Sequence, residues 1–381
     1  MDNLIYLKIP TLKLYDPSLA SPDYKYHHWF TLHTDSVDKW LSHVTSRVHK
    51  LDTPWHLADP VSPIPPITHN DLDFGRVMES IMSQLEQRIQ QTGRTMYMAW
   101  SGGIDSTAMM VAVLKTFSPD SLKNLVVLCD QNSIAENPYF YYNFIENKLQ
   151  TLETDQFVVT PENHDRIIVV DGEGGNMIFQ SSRIITMCAY SGEFDLLDQP
   201  WRSHKDIRAL TWDNPDFAVH LMLESVKHAP IPIESGYDFL WRAAFNFKFD
   251  DVLVRKVVPL TENLTREQTQ HFWENSLFRP YAHPDMQVWA MISKDLRREY
   301  LKIVTKYAAK KYIHEFDHND FYLYSKREEI SSSRMFDLAN PFTLGGPARS
   351  LIAIDRDWNK YYVADKSTRE QLGQILQRNI K

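Results

Sequence analysis

Beyond residue 70 the hydrophobic positions fall into two alternating periods. Phe74, Val77, Met78, Ile81, Met82, Leu85 and Ile89 recur every three or four residues, which predicts a helix with one buried face. Asn70, Asp71 and Asp73 are its candidate N-caps, and Gly93 is its stop. Met96–Trp100 then reads as a short buried strand, Ser101–Thr107 as a turn and Ala108–Thr116 as a helix. Leu125–Asp130 is a second apolar run, followed by a helix over Glu136–Leu149. Phe157–Thr160 and Arg166–Asp171 are further strand candidates. Strands alternating with helices predict an α/β fold, with a mostly parallel sheet and helices on both faces.

The pattern changes on either side of this stretch. Residues 1–70 read as irregular, and the five prolines between Asp52 and Asp71 mark a linker or a wrapping arm. From about 176 to 330 the chain is mainly helical and aromatic, with one or two amphipathic helices over Met286–His314. The tail from 331 carries a strand pair, Leu351–Asp355 and Lys360–Ala364, and then a closing helix. The expected division is an N-terminal segment at 1–70, a main domain at 71–330 and an extension at 331–381.

Composition narrows the functional classes. The chain has 41 Lys+Arg against 49 Asp+Glu, and a net charge of −8 argues against a partner held by bulk attraction to nucleic acid or anionic lipid. No apolar run is long enough to cross a bilayer, and the N-terminus lacks the order of a signal peptide. Two cysteines, Cys129 and Cys188, provide neither a disulfide framework nor a four-cysteine zinc site. The expectation is a cytoplasmic protein in a reducing compartment. With only 12 glycines in 381 residues, places where they cluster are informative.

One cluster is SGGIDST (101–107), between a strand and a helix. Gly102 and Gly103 let the backbone turn and approach a ligand, Ser101, Ser106 and Thr107 offer hydroxyls, and the helix start offers N–H groups. These features together make a polyanion cradle. Asp105 suits a Mg²⁺ beside a phosphate better than the phosphate itself. The loop lacks the ending of a Walker A loop and does not fit GxGxxG.

SGGIDST resembles the pyrophosphate-binding SGGxDS loop of the N-type ATP pyrophosphatases, the PP-loop enzymes. The second cluster, VVDGEGGNMIF (169–179), resembles the SGEGxDELFGGY segment of asparagine and β-lactam synthetases through Gly172, Glu173 and Gly174. FRPYAHPDMQVWAMIS (278–293) and VTKYAAKKYI (304–313) are similar to two later segments of that family, and Lys326-Arg327 echoes its basic C-terminal motif. The family's glutaminase domain begins with a cysteine, whereas here Met1 is followed by Asp2 and 1–70 is shorter than that domain, so glutamine hydrolysis is not expected of these residues.

The resemblance implies the adenine nucleotide alpha hydrolase-like PP-loop fold. It also implies an ATP- and Mg²⁺-dependent ligase that adenylates a substrate carboxylate, releases pyrophosphate and transfers the acyl group to an amine. The nitrogen would come from ammonia, an amine cosubstrate or a separate glutaminase. Ala99, Trp100, Leu128 and Asp130 would line the adenosine, and Ser101–Thr107, with Gly172 and Gly174, the phosphates. Asp105 and Asn176 would hold the metal, Asn176 standing where the family has an aspartate. Glu173 would be the base and Lys306 the stabilising cation, with Lys302 and Lys310 as substitutes.

Other readings stand beside this one. They are a PP-loop enzyme modifying a nucleobase or tRNA, and an ATP-binding scaffold without catalysis. His314-Glu315-Phe-Asp-His318 also fits the HExxH zinc-hydrolase pattern, with Glu328 or Glu329 as a third ligand. The aromatic run Pro138–Ile145 reads as the buried face of a helix or as a stacking platform for bases.

Overall fold

The computed structural model describes residues 55–179, 230–255, 257–298, 305–325 and 351–362, with short pieces at 4–7, 21–23 and 197–200 and isolated residues elsewhere. The chain groups into two compact units. One comprises Pro65–Phe179 and Pro259–Leu338, and the other comprises Met1–Ile64, Gln180–Val258 and Ala339–Lys381. Among the described residues no helix is long and apolar enough to cross a membrane.

The first unit is an α/β layer around a five-stranded parallel sheet. Helix α1 (Phe74–Thr92) is capped by Asp73, whose side chain accepts from Arg76 N, and it closes on Gly93 in the left-handed region. Strand β1 (Thr95–Ala99) follows and leads into helix α2 (Ile104–Thr116). Strand β2 (Leu125–Cys129) leads into helix α3 (Gln131–Glu136), and β3 (Gln150–Glu153) lies beyond it. Strand β4 (Ile167–Val170) leads into the short helix α4 (Gly175–Phe179). After the other unit's residues, α5 (Arg266–Asn275) leads into β5 (Leu277–Phe278), and α6 (Pro284–Ile292), α7 (Tyr307–Asp317) and α8 (Asp320–Ser325) complete the unit.

The strand order is β3-β2-β1-β4-β5, and every neighbouring pair is parallel. β1 and β4 therefore lie side by side, although β2 and β3, which come between them in the chain, stand on the other side of β1. The direction of winding reverses between them, and in open parallel sheets ligands bind outside the carboxyl ends at this switch point. Ile167 and Val169 of β4 pack with Val159, Leu264 and Phe272 on one face. Ile168 and Val170 point the other way by strand alternation and are equally buried.

Phe74 joins the helices that frame the site. Its ring meets Phe179 of α4 at 5.3 Å, Trp289 of α6 at 5.2 Å and Tyr312 of α7 at 5.9 Å. Aromatic pairs at these separations add to the burial of their area. The arrangement ties α1, α4, α6 and the middle of α7 together.

Three sequence expectations in this unit need correction. The helix over Glu136–Leu149 forms only in part, as a short turn at Pro138–Phe140 that runs into a π-helix at Tyr141–Ile145. α3 ends at Glu136, because Pro138 restricts Asn137 and lacks an N–H; Pro138 instead opens the new turn, which Asn137 caps. Phe157–Thr160 is not a strand. The strand is Gln150–Glu153, whose mostly exposed polar residues lack the apolar alternation of a buried strand. Met286–His314 is broken at Ser293 and contains α6, a short helix at Lys294–Arg298 and the start of α7.

In the other unit, Leu4–Leu7 lies within the segment expected to be irregular, yet it is a buried strand. It pairs antiparallel with Leu351–Asp355, which pairs antiparallel with Lys360–Tyr362, so the expected tail hairpin forms. The helix Gly236–Phe247 opens with a Ser235/Asp238 capping box. Buried Arg47 lies against the rings of Phe245 and Phe249 and donates to the carbonyls of Ser62, Pro63 and Phe245. Most of the expected closing helix lies outside the described residues.

Candidate functional site

The two glycine clusters leave the carboxyl ends of the adjacent strands β1 and β4. In the first, Gly102 has φ 70°. A Cβ there would lie 2.3 Å from the Ser133 carbonyl oxygen and 2.7 Å from Glu136 Cβ. Only glycine lets the loop lie this close to the α3 turn. The hydroxyls form a local ring. Ser101 Oγ and Ser106 Oγ are 3.1 Å apart, Ser106 Oγ donates to the Gly103 carbonyl at 3.2 Å, and Gly103 N–H donates to Ser101 Oγ at 3.3 Å. Gly103 is also the N-cap of α2 and brings no capping side chain, so the first-turn N–H groups and the positive helix end face the loop.

Asp105, in the first turn of α2, is where the distant segments meet. Its Oδ2 accepts from Lys306 Nζ at 2.5 Å, and both side chains are largely buried. Its backbone carbonyl accepts from Tyr281 Oη at 3.0 Å. A Cβ at Gly175 would lie 2.4 Å from Asp105 Cγ and Oδ2, so the second loop packs its backbone directly on this carboxylate. Lys306 has φ 54°, in the left-handed region, where an L side chain is held only by its surroundings.

The second loop has its own support. Asp171 accepts from Arg279 Nε at 3.0 Å on both oxygens and from Glu173 N–H at 3.0 Å. Burial pushes the Asp171 carboxyl above the usual carboxylate range, and the Arg279 guanidinium opposes that shift. Arg279 directly follows β5, and its guanidinium lies 5.4 Å from the Trp273 ring. Glu173 is half-buried at the turn, Gly174 has φ 96°, and Asn176 is half-buried in the first turn of α4. A Cβ at Gly172 would lie 3.5 Å from Ser106 N and 3.6 Å from Asp105 Cβ, an ordinary van der Waals contact.

The remaining candidates divide into lining and support. Ala99 is half-buried at the strand end. Leu128 is buried and its carbonyl accepts from Trp100 N–H at 2.9 Å. Trp100 is buried with its Nε1 donating to Thr107 Oγ1 at 3.3 Å, so the Thr107 hydroxyl serves the core and not the cradle. Asp130 accepts from Ser133 N–H and Oγ at 2.7 and 2.8 Å, which makes it the cap of α3. Lys310 is fully buried in α7. Lys302, Lys326, Arg327, Glu328, Glu329 and Cys188 lie outside the described residues.

Arg279, Tyr281 and Gly175 are site residues that sequence reasoning did not single out. All three stand inside segments that were noticed for other reasons. Their roles depend on β5 pairing with β4 and on the two loops meeting, and neither contact has a local signature.

The HExxH segment takes a different form. α7 ends at Asp317, His318 is its left-handed C-cap at φ 55°, and His314 Nε2 pairs with Asp320 Oδ1 at 2.8 Å. Among the described residues no group of three or more His, Cys, Asp or Glu side chains is arranged to hold a metal ion. In the aromatic run, Phe140 is buried, Tyr139 Oη donates to the Asp317 carbonyl and Tyr142 is exposed. Burial raises the Cys129 thiol to about 11, which leaves it a poor nucleophile.

Comparison with family models, with curated proteins and with solved structures finds no match for this chain.

Proposed function

We propose that the chain is an ATP-dependent, amide-forming ligase of the PP-loop type. It adenylates a substrate carboxylate with loss of pyrophosphate, and then passes the acyl group to ammonia or an amine. The observation that carries this reading is the meeting of two glycine loops and Lys306 on Asp105 at the switch point of the parallel sheet.

The residues present fit a polyphosphate. Glycine backbone, two serine hydroxyls and the start of a 13-residue helix converge at the end of β1. Mg²⁺ is commonly held by one or two carboxylates together with phosphate oxygens and water, so a ready-made cluster is not required. Asp105 and the amide oxygen of Asn176 are the residues that would hold it, and the ion would neutralise charge on the leaving pyrophosphate.

The chain's own groups account for the rest of the mechanism. The loop N–H groups and hydroxyls bind and orient the phosphates, and their preorganisation stabilises charge that develops on the leaving group. Lys306, held beside Asp105, contributes a fixed positive charge in a largely buried setting, where it is screened less than at the surface. Glu173, oriented by its own N–H on Asp171, accepts the proton of the incoming amine. The Asp171–Arg279 pair supports this turn from the next strand.

A second reading, an ATP-binding protein without turnover, is favoured by Asn176 in place of the family's carboxylate. The test is product analysis with α-labelled ATP, Mg²⁺ and a panel of amino acids with ammonia. The expected result is AMP and pyrophosphate from wild type and neither from Asp105→Ala. ATP binding without AMP under every panel condition would favour the second reading.

A further inference from the structure

Beneath the first glycine loop lies a buried polar chain that the mechanism above does not use. Trp100 Nε1 donates to Thr107 Oγ1 at 3.3 Å. The Thr107 hydroxyl in turn interacts with the hydroxyl of Tyr322, and the Asn137 side chain lies beside it. Tyr322 Oη donates to the Gly102 carbonyl at 3.2 Å. Tyr322 is 4% exposed, and Thr107 is fully buried. Burial and the nearby Asp105 charge raise the Tyr322 phenol, so it stays protonated and can donate. The chain links the end of β1 and the start of α2 to α8, more than two hundred residues further along the sequence.

The peptide that Tyr322 holds is the one between Gly102 and Gly103. In a trans peptide the carbonyl and the following N–H point in opposite directions. A carbonyl turned down onto Tyr322 therefore turns the Gly103 N–H up toward the exposed Ser101. That N–H is bonded to Ser101 Oγ at 3.3 Å, a long contact that a phosphate oxygen could readily replace. Glycine at 102 makes this loop free to turn its peptide, so something must hold it. Hydrogen bonds in a buried series also polarise one another, which strengthens the hold.

We propose that Tyr322 is a positioning residue that fixes the Gly102–Gly103 peptide and presents the Gly103 N–H to a phosphate group. This rests on the reading of the loop as a polyphosphate cradle. It extends that reading to a residue on α8 outside both glycine motifs.

The full chain, labelled with ¹⁵N-glycine, gives a spectrum of only 12 glycine signals, which makes the test practical. Inorganic pyrophosphate with Mg²⁺ is the probe, compared in wild type, Tyr322→Phe and the exposed-ring control Tyr324→Phe. Tyr322→Phe keeps the buried ring and removes only the hydroxyl. Without ligand, its Gly103 signal should move while Gly93, at the far end of β1, stays in place. With pyrophosphate, Gly103 should respond in wild type and in Tyr324→Phe. In Tyr322→Phe the response should be reduced and binding about tenfold weaker, as for loss of one hydrogen bond that orients a charged contact. Thermal denaturation identifies a variant that has simply unfolded, and in that case Thr107→Val, which breaks the chain one link away, should reproduce the Gly103 shift. An equal Gly103 response in wild type and Tyr322→Phe would overturn the role of Tyr322 and leave the cradle intact. No response in wild type would overturn the cradle, and the positioning role with it.

Discussion

The two glycine loops leave neighbouring strands of one sheet, yet they are built for different tasks. The first opens a 13-residue helix and keeps its hydroxyls and N–H groups in a local ring around Ser101, Gly103 and Ser106. The second opens a helix of only 5 residues and supplies close backbone instead of donors. Its Gly175 lies against the Asp105 carboxylate, and its Asp171 is held by Arg279. On the function proposed above, the first loop would receive the phosphates and the second would hold Asp105 beside them. Similar glycine content therefore serves two needs, conformational freedom at Gly102 and close approach at Gly175.

The junction between the loops should show the largest effect. Lys306 and Asp105 form a largely buried pair, and removing one partner leaves the other charge uncompensated. Lys306→Met and Asp105→Asn should each destabilise the chain by about 3–5 kcal/mol. The double variant should cost less than the sum of the two, since neither charge is then left alone. Chemical denaturation of all four proteins measures the coupling. Strictly additive losses would mean that the pair does not link the loops.

Glycine substitutions then separate the two tasks. At Gly175, alanine puts a Cβ into the Asp105 carboxylate, and the expected loss is about 1–3 kcal/mol with Asp105 displaced. Pyrophosphate binding should largely survive, while AMP formation should fall about a hundredfold, because misplacement on the scale of 1 Å costs that much. Gly102→Ala should have the opposite signature and lose pyrophosphate binding first. Its Cβ meets backbone at Ser133, which cannot swing aside, and its φ of 70° is strained for alanine. Gly93→Ala is the control. Its φ of 65° is similar but a Cβ there meets nothing within 4 Å, so it should cost only about 1–2 kcal/mol and leave binding unchanged. If the Gly102 and Gly175 variants lose binding and turnover in the same proportion, the division of tasks is wrong.

How much of this was legible in the sequence depends on how local the cause is. α1 was legible with its cap and its stop, because periodicity, Asp73 and Gly93 all act within one helix. β1, β2 and β4 were legible as apolar runs, since strands buried on both faces leave that mark. β3 was not, because Gln150, Thr151 and Glu153 face solvent at the sheet edge and the strand is defined only by its pairing with β2. The turn at 101–107 was legible as the link between β1 and α2, because two glycines and three hydroxyl residues mark it locally, but the bond from Trp100 to the Thr107 hydroxyl was not. Tyr322 had no signal at all, since a tyrosine in a short helix gives no hint of the carbonyl it will meet 220 residues away.

The smallest predicted effect concerns the end of the second loop. Asn176 stands in the first turn of α4, one residue after the glycine that packs on Asp105. An amide oxygen is a weaker ligand for Mg²⁺ than a carboxylate, so a metal shared between Asp105 and Asn176 would be held loosely. Asn176→Asp adds a negative charge at a half-buried position near Asp105, which costs some stability through repulsion when no cation is present. The expected outcome is a slightly lower melting temperature in chelator and a gain in stability on adding Mg²⁺ that exceeds the wild type's. Half-maximal ATP turnover should be reached at a Mg²⁺ concentration a few-fold lower. If the variant is destabilised but Mg²⁺ restores nothing, Asn176 does not face the metal, and the second loop holds Asp105 through backbone contact alone.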